Sequence, residues 1–336
     1  MKLIIQIPCY NERETLAETL NDLPRQIEGV DAIETLVIDD GSTDGTNQHA
    51  RELGVNHVVR FSRNRGLAKG FMAGIDACLR LGADVIVNTD ADNQYCGADI
   101  PKLIRPILDG TADMVIGDRQ VDTVQHFSTT KKKLQKFGSW VVRQASGTTV
   151  PDATSGFRAV SREAALRMFV TSEFTYTLET LIQAGHAHLA VTAVPIRTNP
   201  KTRDSRLFRS IGQYLRRSAS TIIRIYTMYR PLKAFLYLAT LLFLTGTGLG
   251  ARFLYFHLTE EHTGHIQSLI LAAILLIVGF VVLLGGLLAD LVSANRKLLE
   301  DAIIRLRRLE YDPRPLPAPR PPDAGEEQPP VEPDAR

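Results

Sequence analysis

The sequence predicts an α/β domain built on a mostly parallel sheet, followed by helices that bind and cross a membrane. Three observations predict this fold class. Short strand patterns alternate with helical patterns, polar residues follow directly after several of the strands, and two long apolar segments lie further along the chain. Alternating strands and helices are typical of βαβ units, which build parallel sheets. With 336 residues and 44% hydrophobic content, the chain is long enough for one large domain and a further region.

Charge and cysteine content argue against several classes of protein. The formal net charge is only +2, so bulk electrostatics predict no nucleic-acid partner. The three cysteines have neither zinc-site nor disulfide-framework spacing, which favours reduced thiols in a domain that faces the cytoplasm. The first apolar run is interrupted at Pro8 and is too short for a signal peptide, so we expect no export of this domain.

Apolar runs predict the strands, and apolar residues at helical spacing predict the helices between them. The predicted strands cover residues 2–7, 34–38, 57–61, 85–87, 113–116 and 191–197. The predicted helices cover about residues 12–23, 47–53, 161–169 and 173–184, and one more ends near residue 80.

The strands are not accompanied by a glycine-rich phosphate loop. No G-x-G-x-x-G follows the first strand, and no G-x-x-x-x-G-K-[ST] occurs in the chain. Polar residues stand at the strand ends instead, at Asp39, Asp40, 64–69, Asp90, Asp92 and Arg119. Open α/β sheets bind ligands at the carboxyl ends of their strands. We therefore expect a nucleotide and metal site along one edge of the sheet.

The stretch after the 85–87 strand is the strongest candidate for metal binding. It carries Asp90, Asp92 and Gln94 at alternating positions. In an extended segment such side chains point the same way, so the three can converge on one hard cation. A turn that binds nothing is the alternative, because Asp and Asn are common in turns.

Two features downstream predict attachment to a membrane. Residues 203–231 interleave arginines with apolar residues, as in helices that lie in the membrane interface, although an ordinary surface helix is the alternative. Residues 232–258 and 266–288 are apolar and meet the length of about 20 residues that a bilayer span needs. A buried helical hairpin of a soluble protein is the alternative for this pair.

Basic residues flank the outer ends of both apolar segments, and the positive-inside rule places such flanks in the cytoplasm. We therefore expect a multi-pass protein of the cell (inner) membrane whose α/β domain and both termini are cytoplasmic. The tail is Pro-rich and acidic, with too few apolar residues to pack. The predicted divisions are the α/β domain (1–202), basic interfacial helices (203–231), a transmembrane hairpin (232–295), a basic amphipathic helix (296–311) and a disordered tail (312–336).

Five motifs in succession carry a family resemblance. They are P-C-Y-N-E at 8–12, D-D-G-S-T-D-G-T at 39–46, N-R-G at 64–66, D-A-D-N-Q at 90–94 and D-A-T-S-G-F-R at 152–158. Together they resemble family 2 glycosyltransferases of the GT-A fold, and most closely the polyprenyl-phosphate sugar transferases such as dolichol-phosphate mannose synthases. The resemblance covers about residues 1–230. The two spans that follow are similar to the membrane anchors of bacterial and archaeal members.

The resemblance implies a role for each matching residue. The donor nucleotide would be bound by Pro8, Tyr10, Glu12, Asp39, Asp40, Lys69 and Asp90. Mg²⁺ or Mn²⁺ would be held by Asp90, Asp92 and Gln94. Guanidinium groups match phosphate geometry, so the acceptor phosphate would be met by Arg119 and Arg203, with Lys131 as a further candidate. Among the catalytic residues Asp92, Arg119 and Asp152, the last either organises the site, takes a proton or only forms a turn.

The implied reaction is inverting transfer of a sugar from a nucleotide-sugar donor to a polyprenyl phosphate at the cytoplasmic membrane face. A phosphate acceptor is already anionic, so it needs no strong general base. GDP-mannose and UDP-glucose both stay open as donors. Homo-oligomerisation through Gly246, Gly248 and Gly250 also stays open.

The sequence departs from the family at Asn93 and Tyr95, where Gly and His are expected. Asn93 can keep the turn because Asn tolerates positive φ, whereas Tyr95 removes an imidazole. A processive polysaccharide synthase is disfavoured, since its Gln-x-x-Arg-Trp motif is missing and the single tryptophan is Trp140. Two further hypotheses are a transferase to another lipid or glycan acceptor, with Asp152 or Glu179 as base, and a non-catalytic nucleotide-sugar-binding scaffold.

Overall fold

The computed structural model describes residues 1–120, 146–170, 176–199, 231–259 and 266–311, together with positions 139, 142, 143, 220, 224 and 227. Within them, seven strands form one sheet in the order β3-β2-β1-β4-β6-β5-β7. The strands are β1 (Lys2–Cys9), β2 (Ala32–Asp39), β3 (His57–Arg60), β4 (Val85–Asn88), β5 (Met114–Asp118), β6 (Arg158–Ser161) and β7 (Val191–Pro195). Every one of these strands but β6 runs in the same direction, which confirms the mostly parallel sheet.

Helices cover both faces of this sheet. They are α1 (Leu16–Asp22), α2 (Thr46–Glu52), α3 (Leu67–Arg80), α4 (Ile100–Leu108), α5 (Arg162–Leu166) and α6 (Thr177–His186). The residues of β1 show that the sheet is buried on both faces. Leu3, Ile5 and Ile7 pack in one core cluster with α4, while Ile4 packs in the other with α3. A strand buried on both sides has a continuous apolar run, which is the pattern of a parallel sheet.

β6 was not predicted, and it is the largest correction to the fold. It pairs antiparallel with both β4 and β5, so it runs against the rest of the sheet. The strand has only four residues, R-A-V-S, and begins with an arginine, so it offers no apolar run for a pattern to detect. Two predicted helices were also too long, since α1 begins at Leu16 and α5 ends at Leu166.

The two predicted spans are α7 (Pro231–Thr259) and α8 (Ile266–Tyr311), of 29 and 46 residues. Both are long and apolar enough to cross a membrane, with mean hydropathy of 1.6 and 3.0 over the most apolar window. Only 11% and 17% of those windows is buried, whereas the core helices of a soluble protein are mostly buried. Residues 296–311 continue α8 without a break.

Small residues line the contact between α7 and α8. The buried positions of α8 recur every seventh residue, at Ala272, Gly279, Gly286 and Ser293. A Cβ at Gly246 would lie 3.1 Å from Leu276, and one at Gly250 would lie 3.9 Å from Ala272. These two glycines therefore face α8 of the same chain. Of the three glycines considered for pairing with a second copy, Gly248 alone would have open space around an added Cβ, with no described atom within 4 Å.

Candidate active site

The described loops that carry the predicted site residues meet at one edge of the sheet, which we call the active-site edge. β1, β2, β4 and β5 all end there, and the reversed strand β6 begins there, because Arg158 pairs with Asn88 and Ile116. The charges of Glu12, Asp92 and Arg119 act on Asp90. The structure thus brings together side chains that are far apart in the sequence, as the strand-end pattern predicted.

The loop of Asp90 and Asp92 is a turn and not an extended segment. β4 ends at Asn88, residues 91 and 92 turn, and Asn93 has a φ of 52°. Asp92 Oδ1 accepts a hydrogen bond of 3.2 Å from the backbone N–H of Gln94. The assumption of an extended strand was therefore wrong. The prediction that Asn93 keeps the turn at positive φ is confirmed.

Electrostatics couple the two carboxylates of this turn. Burial and the neighbouring charge of Asp92 raise the pKa of Asp90 to about 7. Repulsion of this kind is relieved when a cation binds between the two carboxylates, and a cation competes with the proton for Asp90.

The donor set fits a cation that is shared with a substrate. In the described part of the chain, no group of three or more His, Cys, Asp or Glu side chains could hold a metal ion by itself. Mg²⁺ is usually bound by one or two carboxylates and by phosphate oxygens of the substrate. Asp90 and Asp92 match that arrangement. The Gln94 side chain stays a predicted ligand, and its backbone carbonyl accepts from Asn199 at 2.9 Å.

A buried polar network lies behind Asp90 and was not predicted from the sequence. A Cβ at Gly156 would lie 3.1 and 3.2 Å from the two carboxylate oxygens of Asp90. Gly156 is held there by its own backbone: its N–H donates to the Tyr95 hydroxyl at 3.0 Å, and its carbonyl accepts from Asn88 Nδ2 at 2.9 Å. Tyr95, which replaces the expected histidine, is therefore a structural residue, and it also stacks on Phe157.

Arg158 adds a fixed positive charge behind the same turn. Its side chain is only 1% exposed, and it donates to the carbonyl oxygens of Ser155 and Thr177 and to Thr180 Oγ1. These bonds join the 152–157 loop to the start of α6. The charge also acts on Asp90 and favours its ionised form. The only sequence signal was that an arginine follows an apolar residue at the end of the 152–158 motif.

The segment after β7 braces the turn from its other side. Asn199 Nδ2 donates to the carbonyl of Asn93 at 3.1 Å. The Arg197 side chain pairs with the buried Asp99, at 2.9 Å between Nη2 and Oδ1, and Lys102 pairs with the same carboxylate. Burial opposes ionisation of Asp99, but these hydrogen bonds lower its pKa to about 2. The turn of Asp90 and Asp92 is thus fixed from both sides.

Asp39 and Asp40 organise the loops on the predicted nucleoside side. The two oxygens of Asp40 accept from the backbone N–H groups of Arg65 and Gly66, at 2.6 and 2.9 Å. Asp39 is fully buried, accepts from Ser42 N–H at 2.9 Å and lies 3.3 Å from the Arg60 guanidinium. Both aspartates therefore shape the loops around the predicted pocket, and contact with the donor stays a prediction.

The other predicted donor residues lie at the same edge. Pro8 pairs with Ile38 in the sheet, and Tyr10 is 42% exposed just beyond β1. Glu12 is buried and accepts from Thr15 Oγ1 at 3.0 Å. Lys69 is exposed in the first turn of α3.

Gly41 allows the close approach of the two donor-side loops. Its φ is +72°, and a Cβ there would overlap the backbone of Arg63 and lie 2.6 Å from the backbone nitrogen of Asn64. We expect Gly41→Ala to lower the free energy of unfolding by about 3 kcal/mol or more, because strain at positive φ and overpacking add together. Nucleotide binding should weaken as well.

Gly54→Ala is the matched control for this prediction. Gly54 has a φ of +77° but no described atom within 4 Å of an added Cβ, so only the strain of about 1–2 kcal/mol applies. Chemical denaturation of the two variants measures the difference. Equal losses in both would show that the contact with the Arg63 backbone is unimportant.

Arg119 and Asp152 form a buried ion pair with two parallel hydrogen bonds. Arg119 Nε lies 2.7 Å from Asp152 Oδ2, and Nη2 lies 2.9 Å from Oδ1, with side-chain exposures of 11% and 1%. Burial opposes ionisation of Asp152, but the Arg119 charge and hydrogen bonds lower its pKa overall. An ionised carboxylate with both oxygens engaged is a poor general base. Of the roles considered for Asp152, the structure favours organisation of the site.

The remaining candidates from the sequence are not tested by this geometry. Glu179, the second base considered, is fully buried in α6. Lys131 and Arg203, the predicted phosphate-binding residues, lie outside the described residues, as do most of the 203–230 segment and the tail from residue 312.

Comparison with known proteins identifies the class to which this fold and site belong. Residues 4–169 match the family model described as glycosyl transferase family 2. The chain is 31% identical over 217 residues to a UDP-N-acetylglucosamine–dolichyl-phosphate N-acetylglucosaminyltransferase of Methanococcus voltae, covering 57% of this chain and 83% of that protein. It is 34% identical over 169 residues to the polyprenol monophosphomannose synthase of Mycolicibacterium smegmatis, covering 48% of this chain and 62% of that protein.

The fold resembles that of a solved enzyme as well. A crystal structure of glucosyl-3-phosphoglycerate synthase from Mycobacterium tuberculosis superposes with a TM-score of 0.53 at 20% identity, covering 67% of this chain and 79% of that one. The chain therefore belongs to glycosyl transferase family 2. It is a glycosyltransferase with a GT-A-like fold and two candidate membrane helices.

Proposed function

We propose that this glycosyltransferase moves a hexose from a nucleotide-sugar donor to a polyprenyl phosphate at a membrane surface, with inversion at the anomeric carbon. The observation that carries the proposal is the acidic turn of Asp90 and Asp92, fixed at the active-site edge of a chain that also has two exposed apolar helices. The named relatives that act on polyprenol and dolichyl phosphates support the same acceptor class.

In this proposal, Asp90 and Asp92 hold Mg²⁺ or Mn²⁺ against the donor diphosphate. The bound ion would neutralise the charge that develops on the leaving nucleoside diphosphate. Gly156 leaves room for the Asp90 carboxylate, and the Asn93 turn fixes the backbone that carries both carboxylates, so little reorganisation is needed during reaction. Asp39 and Asp40 shape the donor loops, and Lys69 is exposed in the first turn of α3 at the same edge.

The acceptor phosphate attacks as an anion, so the site needs positioning groups and no base. The ion pair of Arg119 and Asp152 fits this requirement, because the Asp152 carboxylate is ionised and both of its oxygens accept hydrogen bonds from Arg119. Arg119 Nη1, Lys131 and Arg203 are the proposed contacts for phosphate oxygens. α7 and α8 would anchor the chain in the inner membrane, with the α/β domain and both termini in the cytoplasm.

The test incubates the purified full chain in lipid vesicles with a panel of radiolabelled donors. The panel contains GDP-mannose, UDP-glucose and UDP-N-acetylglucosamine, each with polyprenyl phosphate and Mg²⁺ or Mn²⁺. We expect label from one donor to enter the lipid phase, and a chelator to abolish this transfer. Absence of lipid-linked label from every donor would overturn the proposed acceptor. Transfer that survives chelation would overturn the role of the cation.

A further inference from the structure

The C-terminal end of α8 is attached to the α/β domain by a set of specific contacts. Arg307 Nη1 donates to the carbonyl of Met168 at 2.7 Å, and Nη2 pairs with Asp76 at 3.0 Å. The same guanidinium lies 4.3 Å from the ring centroid of Phe169. Arg307 is only 13% exposed in this position. A membrane helix that ended in solvent would show none of these contacts.

The last residues of α8 extend the attachment by one more turn. Arg80 Nη2 pairs with Glu310 at 2.9 Å, and its guanidinium lies 5.7 Å from the Tyr311 ring. Arg162 Nη2 donates to the Tyr311 carbonyl at 2.5 Å, and the Tyr311 side chain packs against the core. Arg308 pairs with Glu163 beside it.

These contacts show how α8 runs relative to the sheet. Moving from Asp76 to Arg80 along α3 corresponds to moving from Arg307 to Glu310 and Tyr311 along α8. The two helices therefore run in the same direction. α3 begins at the active-site edge, after the 61–66 loop that follows β3, and ends at the opposite edge. The earlier residues of α8 must then lie toward the active-site edge.

The less exposed side of α8 continues in that direction. A stripe at helical spacing, less exposed than its neighbours, comprises Ser293, Arg296, Glu300, Ile304, Arg307 and Tyr311. The stripe shows that one side of α8 is covered over about five turns of helix.

The rise per residue of a helix converts these residue spacings into distances along the helix axis. Leu67, the first residue of α3, lies nine residues before Asp76, and nine residues before Arg307 is Leu298. Both steps span about 14 Å at a rise of about 1.5 Å per residue. The active-site edge is therefore level with Leu298, next to the basic pair Arg296 and Lys297 and ten residues past the end of the apolar segment at residue 288.

We propose that Arg307 is a positioning residue, whose docking on Asp76 and Met168 holds the active-site edge at the bilayer surface and facing the membrane. The proposal rests on the proposed function, because only a membrane-embedded acceptor requires this placement. The docked helix supplies no group to the reaction. It fixes the distance between the site and the phosphate of a lipid whose tail stays in the bilayer, so that the acceptor meets a preformed site.

The kinetic test compares two acceptors in vesicles that hold the full chain: a long-chain polyprenyl phosphate in the bilayer and a short-chain, water-soluble prenyl phosphate. We expect Arg307→Ala to raise KM for the bilayer acceptor about fivefold or more, and to leave kcat/KM for the soluble acceptor within about twofold. Arg305→Ala is the matched control, since Arg305 is 77% exposed and pairs with Asp301 of the same helix. Arg307→Lys should have a KM for the bilayer acceptor between those of the wild type and Arg307→Ala.

A second pair of variants covers the case in which Arg307→Ala does not fold. Asp76→Asn removes the charge that Arg307 meets, and Asp301→Asn does the same for the control pair. We expect Asp76→Asn to raise KM for the bilayer acceptor and Asp301→Asn to have no effect. Equal losses with both acceptors would overturn the proposal, because they indicate a purely structural role. Equal KM values for the bilayer acceptor in Asp76→Asn and Asp301→Asn would overturn it as well.

A depth measurement tests the placement without relying on turnover. A fluorophore is attached at Arg63→Cys on the active-site edge or at Asp109→Cys at the far end of α4, in a Cys96→Ser background, and quenched by nitroxide-labelled lipids. We expect stronger quenching at position 63, and a smaller difference in the Arg307→Ala variant. Equal quenching at both positions would contradict the placement. If the wild type transfers sugar to neither acceptor, the proposed function fails. The quenching measurement still shows which edge of the sheet lies nearer the bilayer.

Discussion

Asp92→Asn is expected to lower kcat for sugar transfer on the order of 100-fold or more at a Mn²⁺ concentration that saturates the wild type, the loss seen when a group that stabilises transition-state charge is removed. Asp92 contributes one of the two carboxylates in the turn, and its charge raises the pKa of Asp90. With one carboxylate lost, we expect the remaining site to bind the proposed cation too weakly to hold it against the donor diphosphate. Steady-state kinetics over a range of Mn²⁺ concentrations measures the effect.

Direct measurement of Mn²⁺ binding separates loss of the cation from loss of the fold. In the presence of a nucleoside diphosphate, the electron paramagnetic resonance signal of free Mn²⁺ should decrease with the wild type and stay unchanged with Asp92→Asn. Asp109→Asn makes the same chemical change at an exposed site far from the turn, where Asp109 pairs with Arg105. This control should bind Mn²⁺ and turn over like the wild type. Normal turnover by Asp92→Asn would refute the role of the acidic turn.

Asp152→Asn is expected to cost about 3–5 kcal/mol of stability, because it leaves the Arg119 cation buried without its counter-charge. For a domain of this size, that corresponds to a fall in Tm of about 10 °C. Thermal unfolding of the full chain in detergent measures it. The surface variant Asp109→Asn again provides the comparison, and it should cost less than about 1 kcal/mol.

The pH dependence of the same variants checks the cause. The folded-state pKa of Asp152 is lowered, so the stability that the pair contributes is present above the unfolded pKa of about 3.9. It is lost as the pH falls through the folded pKa. The difference in the free energy of unfolding between wild type and Asp152→Asn should therefore become smaller only at acidic pH. A difference that stays constant down to about pH 2 would contradict an ionic origin.

A double replacement separates stability from chemistry. Combining Arg119→Met with Asp152→Leu removes both charges and should recover much of the stability, as is common for buried pairs. If transfer to polyprenyl phosphate stays low in this stable variant, the pair acts on the substrate and not only on the fold. Retained transfer to a hydroxyl acceptor by Asp152→Asn would likewise exclude Asp152 as its base.

The sequence was sufficient for those parts of the fold that leave long or periodic patterns. β1, β2 and β4 are apolar runs, and α8 is a long apolar segment, so each was predicted close to its observed position. The placement of Asp90, Asp92 and Arg119 at one edge followed from topology alone. Strand ends in a parallel sheet must meet, whatever the side chains do.

The parts that were missed depend on contacts between distant residues. The role of Gly156 beside Asp90 depends on bonds to Asn88 and Tyr95, which lie 68 and 61 positions away along the chain. No local pattern marks such a glycine. The shape of the acidic turn was missed for a different reason. Two aspartates at alternating positions fit both an extended strand and a turn, and the sequence does not show where the strand before them ends.

The reversed direction of β6 has a consequence for how this enzyme can diversify. β5 ends at the active-site edge and β6 begins there, so the connection between them leaves and re-enters the sheet beside the acidic turn. Insertions or deletions in this connection would leave the register of every strand unchanged, because both of its ends lie at the same edge of the sheet. The connection can therefore change in length or sequence between homologues while the framework that carries the acidic turn stays the same.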